Sequence, residues 1–263
     1  MRVAWLWVCA ALFVATPAQA QEWVESPQVA ALFRDANVEG TFVWYDIKTQ
    51  RLVGHDETRA RTRYVPASTY KMPHSLIGLS SGAVRSVDEV LPYGGKPQPF
   101  DAWEKDMGLR EAIALSAVPI YQALARRIGP ERMQVHLTRL DYGNEQIGSV
   151  VDRFWLDGPL RISAVEQTQF LARLASGTLP YPTALQQAVR EIVLIEAQGD
   201  ARLYGKSGWQ NAPDPGVGWW VGWVEKSGQV HPFALNLDVR STADAPKRLD
   251  IAKAALRVLG LYD

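Results

Sequence analysis

Strand-forming sequence sits at both ends of this chain and is scarce between them. Gly40 to Ile47 and Arg51 to His55 read as two strands joined by a Lys48-Thr49-Gln50 turn. Arg202 to Trp209, Gly218 to Glu225 and Val230 to Val239 are rich in aromatic and β-branched residues, and Gly228 turns the last pair. The stretch from about Tyr64 to Ala197 reads as mainly helical. Its clearest pieces are Leu109 to Leu115, Ile120 to Ile128, Glu131 to Leu140 and Thr183 to Glu196, with Gly and Pro between them. Pro27 to Ala36 and Arg248 to Leu259 are further helices, the latter with Leu249, Ala252, Leu256 and Leu259 on one side. Such a distribution implies that the termini pair into one sheet around an inserted region. The expected fold class is α+β: a mostly antiparallel sheet formed from both chain ends with flanking helices, plus an inserted, mainly helical subdomain. The sheet part covers about 21–63 and 198–263 and the helical part about 64–197, and a groove between two such layers is a usual place for a ligand.

Residues 1–20 are a different kind of sequence. Arg2 precedes the apolar run Val3 to Val14, which gives way to Thr16-Pro17 and then Ala18-Gln19-Ala20 ahead of Gln21, the pattern of a cleaved export signal. The run is shorter than the roughly 20 apolar residues that a bilayer span needs. The chain is therefore expected to be exported, to the periplasm, with no membrane anchor once the signal is removed. Its single cysteine, Cys9, lies in that leader, so residues 21–263 must be held by their core rather than by disulfides.

The charge balance, 28 Lys+Arg against 28 Asp+Glu, leaves no basic surplus for nucleic acid. His55, His74, His136 and His231 show no ligand spacing, so no metal is expected and these read as surface or packing residues. Trp219, Trp220 and Trp223 alternate along a strand, which favours core packing over a carbohydrate platform. Nothing in the sequence fixes the number of subunits.

Chemistry enters with Ser68-Thr69-Tyr70-Lys71, which follows Pro66-Ala67 and leads into a helical run, Met72 to Leu79. Residues three apart share a helix face, so the Lys71 amine can reach the Ser68 oxygen. A serine needs a neighbour to take its proton, and a lysine does so only when burial lowers its pKa. Ser116 lies in Ser116-Ala117-Val118-Pro119 between two helical stretches, where the proline places Val118 at a break facing a cleft. Tyr142-Gly143-Asn144 follows another helix. Lys206-Ser207-Gly208 lies in a strand ahead of Trp209 and offers a cation and a hydroxyl for a carboxylate. Two look-alikes have structural explanations: Lys226-Ser227-Gly228 falls in a hairpin turn, and Ser163 with Glu166 makes a helix-capping box.

Each of these motifs is weak alone, but the ordered set resembles the penicillin-recognising serine enzymes. Within them it is most similar to the class D, oxacillinase-type β-lactamases, whose second element is Ser-x-Val and whose third is an aromatic followed by Gly-Asn. Phe154-Trp155-Leu156-Asp157-Gly158-Pro159-Leu160 also resembles the loop beside that family's active site. The resemblance implies that Ser68 attacks the β-lactam carbonyl and that Lys71 is its base. Lys71 would be carboxylated by carbon dioxide or bicarbonate to N6-carboxylysine, in an apolar pocket of Val118, Trp155 and Leu156. No other cofactor is implied, and the partner is a β-lactam small molecule.

It further implies that Ser116 relays a proton to the lactam nitrogen and that the Ser68 and Trp209 N–H groups form the oxyanion hole. Tyr142, Asn144, Lys206, Ser207, Gly208 and Arg248 would bind substrate, with Arg240 the competitor for the arginine role. Two residues depart from the family's habit: Ser207 stands where threonine is usual, and Tyr70 where phenylalanine is. Rival readings are an exported β-lactam sensor domain, which would acylate without turnover, and a cell-wall transpeptidase or carboxypeptidase acting on peptides.

Overall fold

The two chain ends pair through β2 (Gly40–Asp46) and β7 (Gln229–Val239), which run antiparallel with Phe42 opposite Leu235. The computed structural model describes residues 21–262, so the export signal expected over residues 1–20 lies outside the described residues. Around the β2–β7 pair grows a seven-stranded sheet. Its other strands are β1 (Trp23–Glu25), β3 (Arg51–His55), β4 (Leu194–Gln198), β5 (Ala201–Gln210) and β6 (Gly216–Lys226). The order is β1-β3-β2-β7-β6-β5-β4, antiparallel throughout except for β1 beside β3.

Strand alternation divides the apolar residues between the sheet's two faces. Phe42, Trp220, Phe233 and Leu235 face α1 (Pro27–Asp35) and α9 (Lys247–Val258). Val43, Trp219, Val221 and Trp223 belong to a larger core shared with the helical half. All three tryptophans are buried, as their alternation required.

Among the helices of the insertion are α3 (Lys71–Ser80), α4 (Leu109–Ala114), α5 (Val118–Ile128), α6 (Pro130–Leu140), α7 (Ala164–Ala175) and α8 (Thr183–Ile192), with the short α2 (Glu57–Arg61) preceding them. Helix α7 starts at the Ser163–Glu166 capping box and lies against β2, β6 and β7, so one of the insertion's helices packs directly on the sheet. Helix α3 is buried from Lys71 to Leu79 among α5, α6 and α8. A helix covered on all sides must be apolar all round or hold its polar groups satisfied, and α3 carries a lysine and a histidine.

One element differs from the sequence expectation. The helix expected over Thr183 to Glu196 stops at Ile192, and Leu194–Gln198 forms the edge strand β4. The run Ile192-Val193-Leu194-Ile195 suits a strand, and Gly199, at φ +58°, turns the chain back so that Gln198 faces Ala201. No helix among the described residues is long and apolar enough to cross a membrane.

The β5–β6 contact is close enough to test the register. A Cβ on Gly222 would lie 1.9 Å from the Tyr204 carbonyl oxygen and 2.8 Å from the Gly205 Cα. Gly222→Ala is expected to destabilise the fold by about 3 kcal/mol, read by urea denaturation. A loss below roughly 0.5 kcal/mol would be inconsistent with this pairing.

Candidate active site

Ser68 stands in a 3₁₀ turn, Ala67–Tyr70, that runs straight into α3. The turn begins with Ala67 at φ +48°, a backbone state that alanine adopts only when its surroundings enforce it. A chain of buried hydrogen bonds supplies that enforcement. Tyr142 Oη donates to Gln167 Oε1 (3.2 Å), Gln167 Nε2 to Thr69 Oγ1 (2.9 Å), and Thr69 Oγ1 to the Pro66 carbonyl (2.7 Å). From the sheet, Trp219 Nε1 donates to the Val65 carbonyl at 2.9 Å. Strand β5 closes on the same turn: a Cβ on Gly208 would come within 3.0 Å of the Pro66 carbonyl oxygen and 3.2 Å of the Thr69 nitrogen. Lys206-Ser207-Gly208-Trp209 is thereby laid beside Ser68.

Lys71 is the first residue of α3, and its Nζ lies 2.8 Å from Ser68 Oγ and 5.2 Å from the centre of the Tyr121 ring. The residue is completely buried. Burial, and secondarily the positive charge of Lys206, hold its pKa well below the ordinary lysine value. The positive end of the α3 dipole acts in the same direction. These effects favour the neutral amine, the form that can take a proton from a serine hydroxyl within hydrogen-bond reach. Lys206 is nearly as buried, and desolvation with the neighbouring Arg248 brings it down to about 7. Its Nζ donates to the Ser207 carbonyl at 3.0 Å.

A cavity of about 620 Å³ opens over this group. Of the residues singled out from the sequence, Ser68, Ser116, Val118, Leu156, Ser207, Gly208, Trp209 and Arg248 line it, while Lys71 and Trp155 are fully buried. Ser116 holds φ +59°, a second non-glycine residue in the left-handed region. Val118 is not at the break itself: it is the first residue of α5, because Pro119 fits a helix's first turn, and the break falls at Ser116-Ala117. Arg248 lies on the first turn of α9, with its Nε and Nη1 buried and without hydrogen-bond partners among the described residues. Arg240, its competitor, is exposed and bonded to Glu39 at 3.0 Å.

Tyr142 and Asn144 do not join the cavity lining. Tyr142 is wholly buried in the chain of bonds behind Ser68, with its ring against Tyr70 and Phe170. Asn144 spends its side chain on the loop beyond it, donating to the Pro159 carbonyl at 3.0 Å and accepting from the Arg161 N–H at 2.9 Å. Both side chains bond within the scaffold, and neither is part of the cavity lining. Conversely, Phe100, Trp103, Leu115 and Asn211 line the mouth without having been singled out. Phe100 and Trp103 meet edge to face at 4.8 Å in a Gly- and Pro-rich segment, and aromatic residues in such a segment were the available signal. Lys226-Ser227-Gly228 turns the β6–β7 hairpin, as expected. No group of His, Cys, Asp and Glu among the described residues is arranged to hold a metal.

A serine in a turn that a strained alanine opens, a buried lysine of lowered pKa one turn on, a second hydroxyl and a Lys-Ser-Gly strand match the layout of a serine acyl-transfer site on an α+β scaffold. Residues 40–257 match the family model for the penicillin-binding protein transpeptidase domain. β-Lactamase OXA-5 of Pseudomonas aeruginosa is 40% identical over 232 residues, covering 87% of each chain. β-Lactamase OXA-48 of Klebsiella pneumoniae is 38% identical over 247 residues, covering 94% of this chain and 93% of the other. The crystal structure of FUS-1 (OXA-85), a class D β-lactamase from Fusobacterium nucleatum subsp. polymorphum, superposes with a TM-score of 0.88 at 40% identity, over 91% of this chain and 100% of that one. The chain belongs to the class D serine β-lactamases.

His74 gives the site a measurable signature. Burial, and secondarily the nearby Lys71, lower its pKa from 6.5 to about 3. Between those values the unfolded chain holds a proton that the folded one does not. His74's contribution to stability is therefore complete above 6.5 and is lost as the pH falls toward 3. His74→Asn is expected to flatten the acid limb of stability by one proton, about 1.4 kcal/mol per pH unit. Denaturation between about pH 4 and 6 measures it, and an unchanged slope would mean that the ring is protonated in the folded state.

Proposed function

We propose that Ser68 opens the β-lactam ring of penicillin-type antibiotics as the nucleophile, and that Lys71, carboxylated on Nζ, is the general base for acylation and deacylation. The observation that carries this reading is the 2.8 Å contact of a fully buried Lys71 amine, its pKa lowered by burial, with Ser68 Oγ. Ser68 Oγ bonds to the lactam carbonyl carbon, the carbon–nitrogen bond breaks, and the Ser116 hydroxyl passes a proton to the departing nitrogen. Water then cleaves the ester and restores Ser68. The N–H groups of Ser68 and Trp209 receive the carbonyl oxygen as it gains charge, a contribution worth about 10²–10³ in rate per donor in comparable sites.

The surroundings of Lys71 suit a carbamate. A neutral amine is the form that adds to carbon dioxide, losing one proton, and Trp155 Nε1 is a buried donor without a partner among the described residues. Val118 and Leu156 keep the pocket apolar, and Trp155 would hold the group. When formed, the carbamate supplies an anionic base where the free amine would be a cation in water. Arg248, Lys206 and Ser207 bind the substrate carboxylate. Residues 1–20 direct export, and the enzyme acts in the periplasm.

Ser68→Ala is expected to abolish covalent labelling by a penicillin in intact-mass spectrometry, and labelling at the wild-type rate would remove the nucleophile. Acid protonates the Lys71 amine, so stimulation of turnover by bicarbonate should grow as the pH falls. Val118→Asn should raise the bicarbonate needed by about tenfold. Turnover of a chromogenic cephalosporin indifferent to bicarbonate at mildly acidic pH would overturn the carboxylated base. Acylation without release would favour the sensor or transpeptidase reading.

A further inference from the structure

Three buried polar atoms around the start of α3 have no hydrogen-bond partner among the described residues: Nδ1 and Nε2 of His74, and Nε1 of Trp155. His74 lies one turn after Lys71 on α3 and is fully buried. Its ring stands 5.0 Å from Trp155, 5.2 Å from Tyr70 and 5.3 Å from Tyr121, and the Lys71 Nζ lies 5.2 Å from the same Tyr121 ring. The two phenols do not serve the imidazole. Tyr121 Oη is bonded to Ser75 Oγ at 2.8 Å, and Tyr70 Oη donates to Met133 Sδ at 3.3 Å.

A phenylalanine or leucine would fill this aromatic box without any polar atom, so the histidine needs a reason. Protonation does not supply one. Lys71 precedes it by one turn, Lys206 reaches Lys71 from β5, no carboxylate touches the ring, and its pKa falls to about 3. The neutral ring keeps one N–H donor, and the Trp155 indole adds another. Two uncharged donors with nothing to receive their protons, beside an amine held neutral, suit an anion borne on that amine.

We propose that His74 is a positioning residue for the carboxylated form of Lys71, its ring N–H and the Trp155 indole N–H being the two donors that hold the carbamate oxygens. The inference rests on the carboxylated-lysine reading and extends it to a residue that sequence marked only as packing. Burial, the larger cause of its lowered pKa, favours the neutral ring, which orients the carbamate without neutralising the charge that makes it a base. A cationic ring would bind the group more tightly and blunt its basicity.

The test is loading of the purified enzyme with ¹³C-bicarbonate, followed by the carbamate carbon signal in NMR. His74→Phe keeps the aromatic volume and removes the donor, and it is expected to raise the bicarbonate needed for half-loading by about tenfold. His74→Asn restores a donor and should stay within about threefold of wild type. Wild-type loading in His74→Phe would overturn the proposal. A second measurement needs no folded variant: in wild-type protein labelled with ¹⁵N-histidine, a side-chain nitrogen of His74 should shift on loading, and a resonance that does not move while the carbamate signal appears overturns it equally. Absence of any carbamate signal in the wild type at saturating bicarbonate is a different result. It removes the carboxylated base itself, and the role given to His74 falls with it.

Discussion

The site around Ser68 is built on an amine kept out of water. Lys71 opens a helix that is buried along nearly its whole length, and a charged amine there would be desolvated, face the positive end of the helix dipole and lie near a second lysine. All three effects favour the neutral form. The contact with Ser68 then follows from geometry alone, since the serine immediately precedes that helix in a turn whose spacing brings the two side chains together.

Holding that arrangement requires strain at one place and bonding at another. Ala67 and Ser116 both sit at positive φ, and both adjoin the cavity that Ser68 opens into. The buried sequence Tyr142, Gln167, Thr69 ties the Ser68 turn to α7, while Trp219 ties it to β6. Helix α7 packs on the sheet that carries Lys206 to Trp209, so the Ser68 turn and that strand share one support. A site assembled this way leaves little room between the layers, because even a Cβ on Gly208 would lie only 3.0 Å from the Pro66 carbonyl oxygen.

What the sequence made legible follows the range of the interactions involved. The strands at both chain ends, the hairpins and the Ser68–Lys71 contact are written in local pattern: alternation, turn residues and spacing along a helix. Strand β4 was hidden because its apolar run extends a helical one, and only pairing with β5 decides between them. Tyr142 and Asn144 were recognisable as a motif, yet their hydrogen bonds point inward, to Gln167 and to the loop at Pro159 and Arg161. Phe100 and Asn211 reach the cavity from segments without regular structure, where periodicity carries no information. His74 had the same disadvantage for another reason: its burial is a property of the helix packing, and its unpaired nitrogens are visible only once the neighbouring phenols are seen to be engaged.

The charges near the cavity are all of one sign. Arg248 lines it, Lys71 and Lys206 lie buried behind it, and no acidic side chain is part of its lining. Arg248 remains a cation because a guanidinium cannot give up its proton even when burial lowers its pKa, and two of its nitrogens lack partners. Lys206, at about 7, is divided between its two forms and would be driven to the charged one by a carboxylate beside it. Lys71, the most buried, is the one that yields. Burial therefore sorts three like side chains by how strongly it disfavours their charged forms, and that order is the one the proposed anchor, responsive partner and base require.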